Sequence, residues 1–390
     1  MSEWKTYRLG DIIQLKSGGT PDKSNPDYWG GSIPWISAKS MYDDFISTSD
    51  LFITEEGLQA GSKIAKKDSI LLLTRGSGLF NRIPVCYVVS DVAYNQDVKN
   101  IVLKQEDVTS IKFLYYWLYG NKELLSSMLE TTGIGAGKID TKRFLNLSIS
   151  LPSQKEQARY IHVMDLLFDK IELNRRINAN LEAQAQALFR SWFVDNDNQL
   201  DNYQTKSLTD IAQYLNGLAM QKFPSESIQN SLPVLKIKEL GQGLCDASSD
   251  RCSTSIKPEY VINDGDVIFS WSGTLLVDVW CGGKCGLNQH LFKVTSDNYP
   301  KWFIFYWTKH HLDKFIRIAK DKAVTMGHIK RCDLESSEVK VPEKSILEYL
   351  DKIFTPLFDS MITHRIENRK LSALRDTLLP KLMAGEIAIE

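Results

Sequence analysis

Several segments carry residue types that could do chemistry. GIGAGK (Gly133–Lys138) has the glycines of a phosphate cradle. A phosphate loop needs a Gly five residues before its Gly-Lys pair and a Ser or Thr after it. Those positions are Thr132 and Ile139, so both requirements fail. The dinucleotide fingerprint fails too, its second gap being one residue short. The segment reads instead as a flexible loop that approaches a ligand backbone. Cys281 and Cys285, with Cys245, Cys252 and Cys332, invite a zinc site. Their spacing matches no standard knuckle, so no metal site is expected. His310-His311 and His328 have no carboxylate cluster or nucleophile motif beside them, and no catalytic residue is assigned.

One more segment needs weighing. Asn25-Pro26-Asp27-Tyr28 is one residue away from Asn-Pro-Pro-Tyr, in which the Asn and a prolyl carbonyl hold an exocyclic amine and Tyr stacks on a flipped base. No glycine-rich strand–helix site for S-adenosylmethionine precedes it. A turn beginning at Pro26 explains the segment more simply.

The elements that would position any site are organised as a repeat, and repeats decide architecture. A shift of 199 lays Thr6–Gly18 on Thr205–Gly217, with Leu9/Leu208, Asp11/Asp210, Gln14/Gln213 and Gly18/Gly217 identical. It also lays Ser32–Lys39 on Ser231–Lys238. Further on, Asp68–Gly78 pairs with Gly265–Gly273, Asn95-Gln96 with Asn288-Gln289, and Gly137–Ile139 with Gly327–Ile329. Short β-rich runs (69–74, 267–271) and an aromatic helix (113–119, 302–308) recur in each half. The fold class expected is mixed α/β, or α+β.

Each half ends in a long helix-favouring run, Ser153–Phe193 and Glu343–Gly385, the latter with an internal Pro356. Ser153 and Glu156 form a capping box, and Gly385 suits a C-cap, with Pro380 bending the last turn. A helix of ~40 residues is ~60 Å long. Heptad reading gives one seam of Tyr160, Met164, Leu167, Ile171, Asn174, Asn178, Leu181, Ala185 and Leu188. The other is Leu350, Phe354, Leu357, Met361, His364, Asn368, Leu371, Arg375 and Leu378. Polar seam residues fit register-setting positions of a coiled coil. The alternative is that each helix packs only on its own domain. The expected boundaries are a domain over 1–152, helix and linker over 153–200, a domain over 201–342 and a helix over 343–390.

The chain has 390 residues, 43% hydrophobic and 24% charged, as a globular protein of two or three domains would. No apolar stretch is long enough to span a bilayer, the first residues do not read as a signal peptide, and cysteines are few. A cytoplasmic location is expected. Formal net charge is −1. Residues 1–150 hold 17 basic and 17 acidic groups, and 203–341 hold 17 and 15. An indiscriminate basic nucleic-acid binder is excluded, so any nucleic-acid surface must be gathered by folding.

The sequence resembles the DNA-specificity subunits of type I restriction–modification systems. The resemblance rests on Ser17–Ser37, ILLLTRGSG (Ile70–Gly78), YNQDV (Tyr94–Val98), Gly137–Gln157, LFRSWFVD (Leu188–Asp195), MGHIKRCDLE (Met326–Glu335) and LLPKLMAGEI (Leu378–Ile387), in order over nearly the whole chain. The second half departs where Gly-Thr-Pro is replaced by Leu218-Ala219-Met220. The resemblance implies two target-recognition domains and two antiparallel coiled-coil helices in a pseudo-twofold repeat. Each domain would read half of a split double-stranded DNA site. The helix pair would set the spacing and dock two modification subunits. It implies a non-catalytic chain without cofactor, with S-adenosylmethionine, ATP and Mg on partner subunits, including restriction subunits. A stand-alone nucleic-acid methyltransferase and a coiled-coil scaffold without DNA are the alternatives.

On that reading, phosphate-binding cations and base-reading side chains belong on matching loops. The candidates are Lys23, Lys39, Arg75, Arg82, Lys138 and Lys142 in the first half. In the second they are Lys236, Lys238, Lys284, His328, Lys330 and Arg331. Arg75, flanked by glycine, is the choice for a guanine contact. Asn95-Gln96 and Asn288-Gln289 suit adenine reading or a backbone-bonding turn equally. Trp192, Phe193, Leu382 and Met383 are candidates for subunit docking.

Overall fold

The computed structural model describes residues 4–133, 135–195, 203–321, 328–387 and 389. Linker residues 196–202, Ile134 of the glycine-rich segment, and Met326 and Gly327 lie outside the described residues. The chain forms two compact units, Met1–Asp169 with Ala373–Glu390, and Lys170–Ser372. Both long helices are therefore divided between the units.

In the first unit, Lys5–Arg8 pairs with Ser148–Leu151. A five-stranded sheet runs in the order Ile13–Ser17, Val98–Leu103, Ser69–Leu73, Val85–Val88, Phe45–Ile46. A four-stranded sheet runs Phe52–Ile53, Trp29–Ile36, Val92–Tyr94, Lys63–Ala65. The second unit repeats this order, without a counterpart to the edge strand Phe45–Ile46 among the described residues. Gln204–Ser207 pairs with Glu338–Val341. One sheet runs Gln213–Asn216, Leu291–Thr295, Val267–Ser270, Leu276–Val279. The other runs Arg251–Ser253, Ser231–Leu235, Cys285–Leu287, Val261–Ile262. The first unit adds a small sheet of Leu129–Thr131, Gly137–Ile139 and Arg75–Gly76, where the described residues of the second have the bridge Ser272–His328.

Ser69–Leu73 is buried at every position, which is why it reads as a continuous apolar run rather than an alternating one. The helix Ile111–Gly120 lies against this core. Ser110 starts it, its hydroxyl accepting from Phe113 N, and Phe113 through Leu118 are all buried. Lys301–His310 is its counterpart, with Trp302 through Thr308 buried. Burial pushes the His311 imidazole down to about 4, and its Nε2 lies 2.8 Å from Glu338 O, a structural role. Cys281 is buried in the core, and among the described residues no three metal-ligating side chains cluster.

The long helices span Gln154–Phe193 and Lys344–Met383. Ser153 and Glu156 form the capping box, with Ser153 N donating to Glu156 Oε2 at 3.1 Å. The second helix runs through both prolines and closes in a Schellman motif. Gly385 (φ +73°) donates to Leu382 O and Glu386 to Lys381 O.

Within the second unit the helices are antiparallel. Lys170 pairs with Glu367, Asn174 Nδ2 donates to Asn368 Oδ1 and Glu367 Oε2, and Asn178 Nδ2 donates to Met361 O. Of the apolar seam residues, Ile171 and Met361 are buried, while Leu181, Leu188 and Leu357 are half-buried against the second core. In the first unit Leu167 and Leu378 are half-buried against its core, and Leu371 of the second unit is half-buried. The fully buried stripe includes Phe168, Phe189, Phe358 and Leu379, which face the domain cores. Each helix thus serves a domain and its partner helix at once.

Asn174 is fully buried, and its Oδ1 has no partner. Replacing it should therefore not weaken the fold. Asn174→Leu is expected to hold or raise the urea midpoint, because Glu367 and Asn368 can turn to water. A loss above about 1 kcal/mol would show instead that the amide network is net stabilising.

Candidate nucleic-acid interface

The matched Asn-Gln loops are built by close packing. Gly18 follows the first strand of its sheet, and a Cβ there would lie 2.1 Å from Tyr94 O. Gly217 repeats this against Asn288 O, at 2.2 Å. Asn95 Oδ1 accepts from Asp97 N and Val98 N, and Asn288 Oδ1 accepts from His290 N. Both Asn side chains are nearly buried, so of the two readings left open the turn role holds. The following glutamines are more exposed, and Gln96 Oε1 accepts from Thr20 at 2.6 Å.

Around the first loop stand cations. Arg75 is paired across strands with Lys138, and both side chains are exposed. Lys99 donates to Ser17 Oγ at 2.7 Å and Gln96 O at 3.2 Å. Burial holds its ammonium below the ordinary lysine value; Asp97 opposes this and Arg75 adds to it. Lys39 lies in the turn after Ile36, whose carbonyl accepts from Asn95 N. These cations offer phosphate and guanine contacts.

Around the second loop the groups differ. Trp271 has His290, Phe292 and His328 as ring neighbours at 6.0, 5.7 and 6.3 Å. Its Nε1 donates to Asn216 Oδ1, and Ser272 Oγ lies 2.9 Å from His290 Nδ1. A cleft of about 710 Å3 opens beside them, lined by Lys236, Lys238, Arg251, Gln289 and His290 among others.

A profile described as the type I restriction modification DNA specificity domain matches residues 1–183 and again 201–370. The chain belongs to this family. Among curated relatives, the MjaIX specificity subunit of Methanocaldococcus jannaschii is 27% identical over 100% of this chain and 94% of its own length. The EcoR124I/EcoR124II specificity subunit of Escherichia coli is 33% identical over 42% of this chain and 40% of its own. The solved type I S subunit from M. genitalium shares the fold at TM-score 0.57 and 14% identity, covering 97% of this chain and 96% of that one. The two specificity domains correspond to the two repeats.

The structure gathers Lys39, Arg75 and Lys138 at the loop of the first specificity domain, and Lys236, Lys238 and His328 at that of the second. Lys23, Lys142, Lys330 and Arg331 are exposed on adjoining turns and short helices. Two exposed candidates are placed differently. The Arg82 guanidinium donates to the carbonyls of Met41 and Tyr42, which makes it a loop tie. Lys284 lies at the far end of Cys285–Leu287 from the Asn288 loop, next to Gly283, which approaches Arg369.

The docking set is also corrected. Phe193 is 1% exposed in the second core, and Leu382 and Met383 are each 2% exposed in the first. Trp192 is half-buried, its ring near Tyr349. The apolar side chains the long helices leave exposed are Leu166, Leu173, Tyr349 and Leu374. Leu166 and Leu173 are seven apart, a spacing that could have flagged them. Around the glycine-rich segment, Thr132 N donates to Ala136 O and Gly135 N to Thr132 O. Asn25 caps a short turn through Asp27 N, its amide oxygen held on the backbone. Lys99, Trp271 and His290 were missed, because their place depends on strand register.

Proposed function

We propose that this chain is the DNA-sequence-specificity subunit of a type I restriction–modification complex. Each specificity domain reads one half of a bipartite, asymmetric DNA site. The paired helices set the spacing between half-sites and dock two modification subunits. Adenine methylation, with S-adenosylmethionine, belongs to those partners. ATP and Mg belong to restriction subunits, and the complex works in the cytoplasm. Among the described residues no helix is long and apolar enough to cross a membrane.

The observation that carries this reading is one topology used twice with different side chains on the matched loops. A repeat built to bind one thing twice would keep its loops alike. Two readers of unlike sequences would differ there and agree in the frame. Co-expression with the modification subunit and sequencing of methylated DNA tests it. A two-part motif with a fixed gap is expected, and no methylation from the chain alone. Stoichiometric S-adenosylmethionine binding by the isolated chain would overturn the reading in favour of a stand-alone methyltransferase.

A further inference from the structure

Backbone hydrogen bonds align the two loops residue for residue. Ile139 N donates to Thr74 O at 2.9 Å, and Ile329 N to Trp271 O at 3.0 Å. Thr74 N donates to Asp97 O, and Trp271 N to His290 O. Thr74 therefore matches Trp271, and Asp97 matches His290. One residue on, Arg75 sits opposite Lys138, and Ser272 opposite His328. Lys99 sits opposite Ser17 and Phe292 opposite Asn216, places related by the repeat shift. Three cations in one domain stand where the other has Phe292, Ser272 and His328.

Of the second domain's nearby cations two are paired with carboxylates, while Arg251 donates to the Ser231 hydroxyl and carbonyl. Lys236 forms an ion pair with Asp250, and Lys238 donates to Ser248 Oγ with Asp246 at 4.0 Å. In the first domain the Arg75 and Lys138 side chains make no ion pair among the described residues. Meanwhile Asn216 fixes the Trp271 indole and Ser272 fixes the His290 ring, with Gln289 Nε2 3.3 Å from His290 Nε2. Fixed rings suit base-edge and methyl contact better than phosphate neutralisation.

Building on the specificity-subunit reading, we propose that the two domains read their half-sites by different chemistry. Lys99, Arg75 and Lys138 grip phosphate and guanine edges, and Trp271, His290 and His328 read bases through indole and imidazole contacts. The first domain then carries more of the salt dependence of DNA binding, at about 0.9 in logarithmic slope per phosphate neutralised.

The test uses the full chain and a duplex bearing the site mapped by methylation. Kd is read by fluorescence anisotropy from about 50 to 200 mM potassium chloride. Arg75→Gln with Lys138→Gln should flatten the slope by about 1–2 and abolish discrimination in the first half-site alone. Gln289→Ala with His328→Ala should leave the slope within about 0.3 and abolish discrimination in the second half-site alone. Equal slope changes from both pairs, or none from either, overturn the proposal. Should the first pair fail to fold in thermal unfolding, Lys99→Gln reads the same slope, with a change of about 0.9 expected and none overturning. A wild-type chain that binds scrambled and mapped duplexes alike would overturn the specificity reading itself. Preference for the mapped duplex with equal slope changes removes only the division of chemistry.

Discussion

Arg375→Ala is expected to lower the stability of the first unit by about 3 kcal/mol, the lower end of what removing one member of a buried ion pair costs. The Arg375 side chain is 9% exposed and lies 3.5 Å from Asp44, itself 19% exposed. Its guanidinium sits 4.9 Å from the Tyr119 ring centroid and 5.0 Å from that of Phe168. One side chain on the second long helix thus meets a loop, the aromatic helix and the first long helix. Truncation would leave Asp44 with the Tyr119 hydroxyl at 3.3 Å as its hydrogen-bond partner. Lys122 offsets part of the loss. Its ammonium is held down at about 8, chiefly by burial, with Asp44 opposing and Arg375 and Arg82 contributing to the lowering. Removing Arg375 takes away one of those repulsions, so Lys122 charges more readily beside Asp44.

In the long helices a shift of 190 lays Leu167-Phe168-Asp169 on Leu357-Phe358-Asp359, and it puts Ala185, 1% exposed and apolar, at the matching position of the second unit. Amide exchange should therefore accelerate over the first unit while the second keeps its protection. Equal acceleration in both units, or a cost under about 1 kcal/mol, would show that the pair is a surface-like contact. Arg375→Met tests the cause from the other side. It keeps the packing stem but not the charge, so it should lose nearly as much as Arg375→Ala.

How much of this was legible in the sequence follows from which contacts are local. Identities at Leu9/Leu208, Asp11/Asp210 and Gly18/Gly217 located the repeat because the frame demands the same residues twice. Ser153-x-x-Glu156 and Gly385 marked helix ends because capping acts within one turn. The docking residues failed for a different reason. Phe193, Leu382 and Met383 show apolar character, but composition does not say which side of a helix end a core covers. The loop tie made by Arg82 was not legible because its partners, Met41 and Tyr42, are about forty residues away in sequence. The Thr74–Trp271 match was hidden by a two-residue gap between 68–78 and 265–273. Only the bonds from Ile139 and Ile329 fix where the gap falls.

The second large effect is expected at two glycines, neither of which has a positive φ. Gly18→Ala would put a Cβ 2.1 Å from Tyr94 O, 2.6 Å from the Tyr94 ring and 2.7 Å from Asn95 O. The two oxygens are backbone atoms and cannot rotate away. Tyr94 O also accepts from Gly19 N at 3.0 Å and Ser62 Oγ at 3.2 Å, so moving it breaks other bonds. The strand end and loop must separate, at about 1–3 kcal/mol or more. Separation shifts Gln96 from Thr20 and Lys99 from Ser17, the groups placed at the first half-site. Gly217→Ala meets Asn288 O at 2.2 Å and Leu287 O at 2.5 Å, displacing the loop that holds Gln289 and His290. Each substitution is expected to reduce methylation of duplexes at least about tenfold, the equivalent of ~1.4 kcal/mol. Each should also relax discrimination in its own half-site while sparing the other. Modification assays on duplexes with one half-site altered at a time would separate these losses. Equal relaxation in both half-sites from either variant would mean that the glycines hold the fold in general rather than one reading loop each.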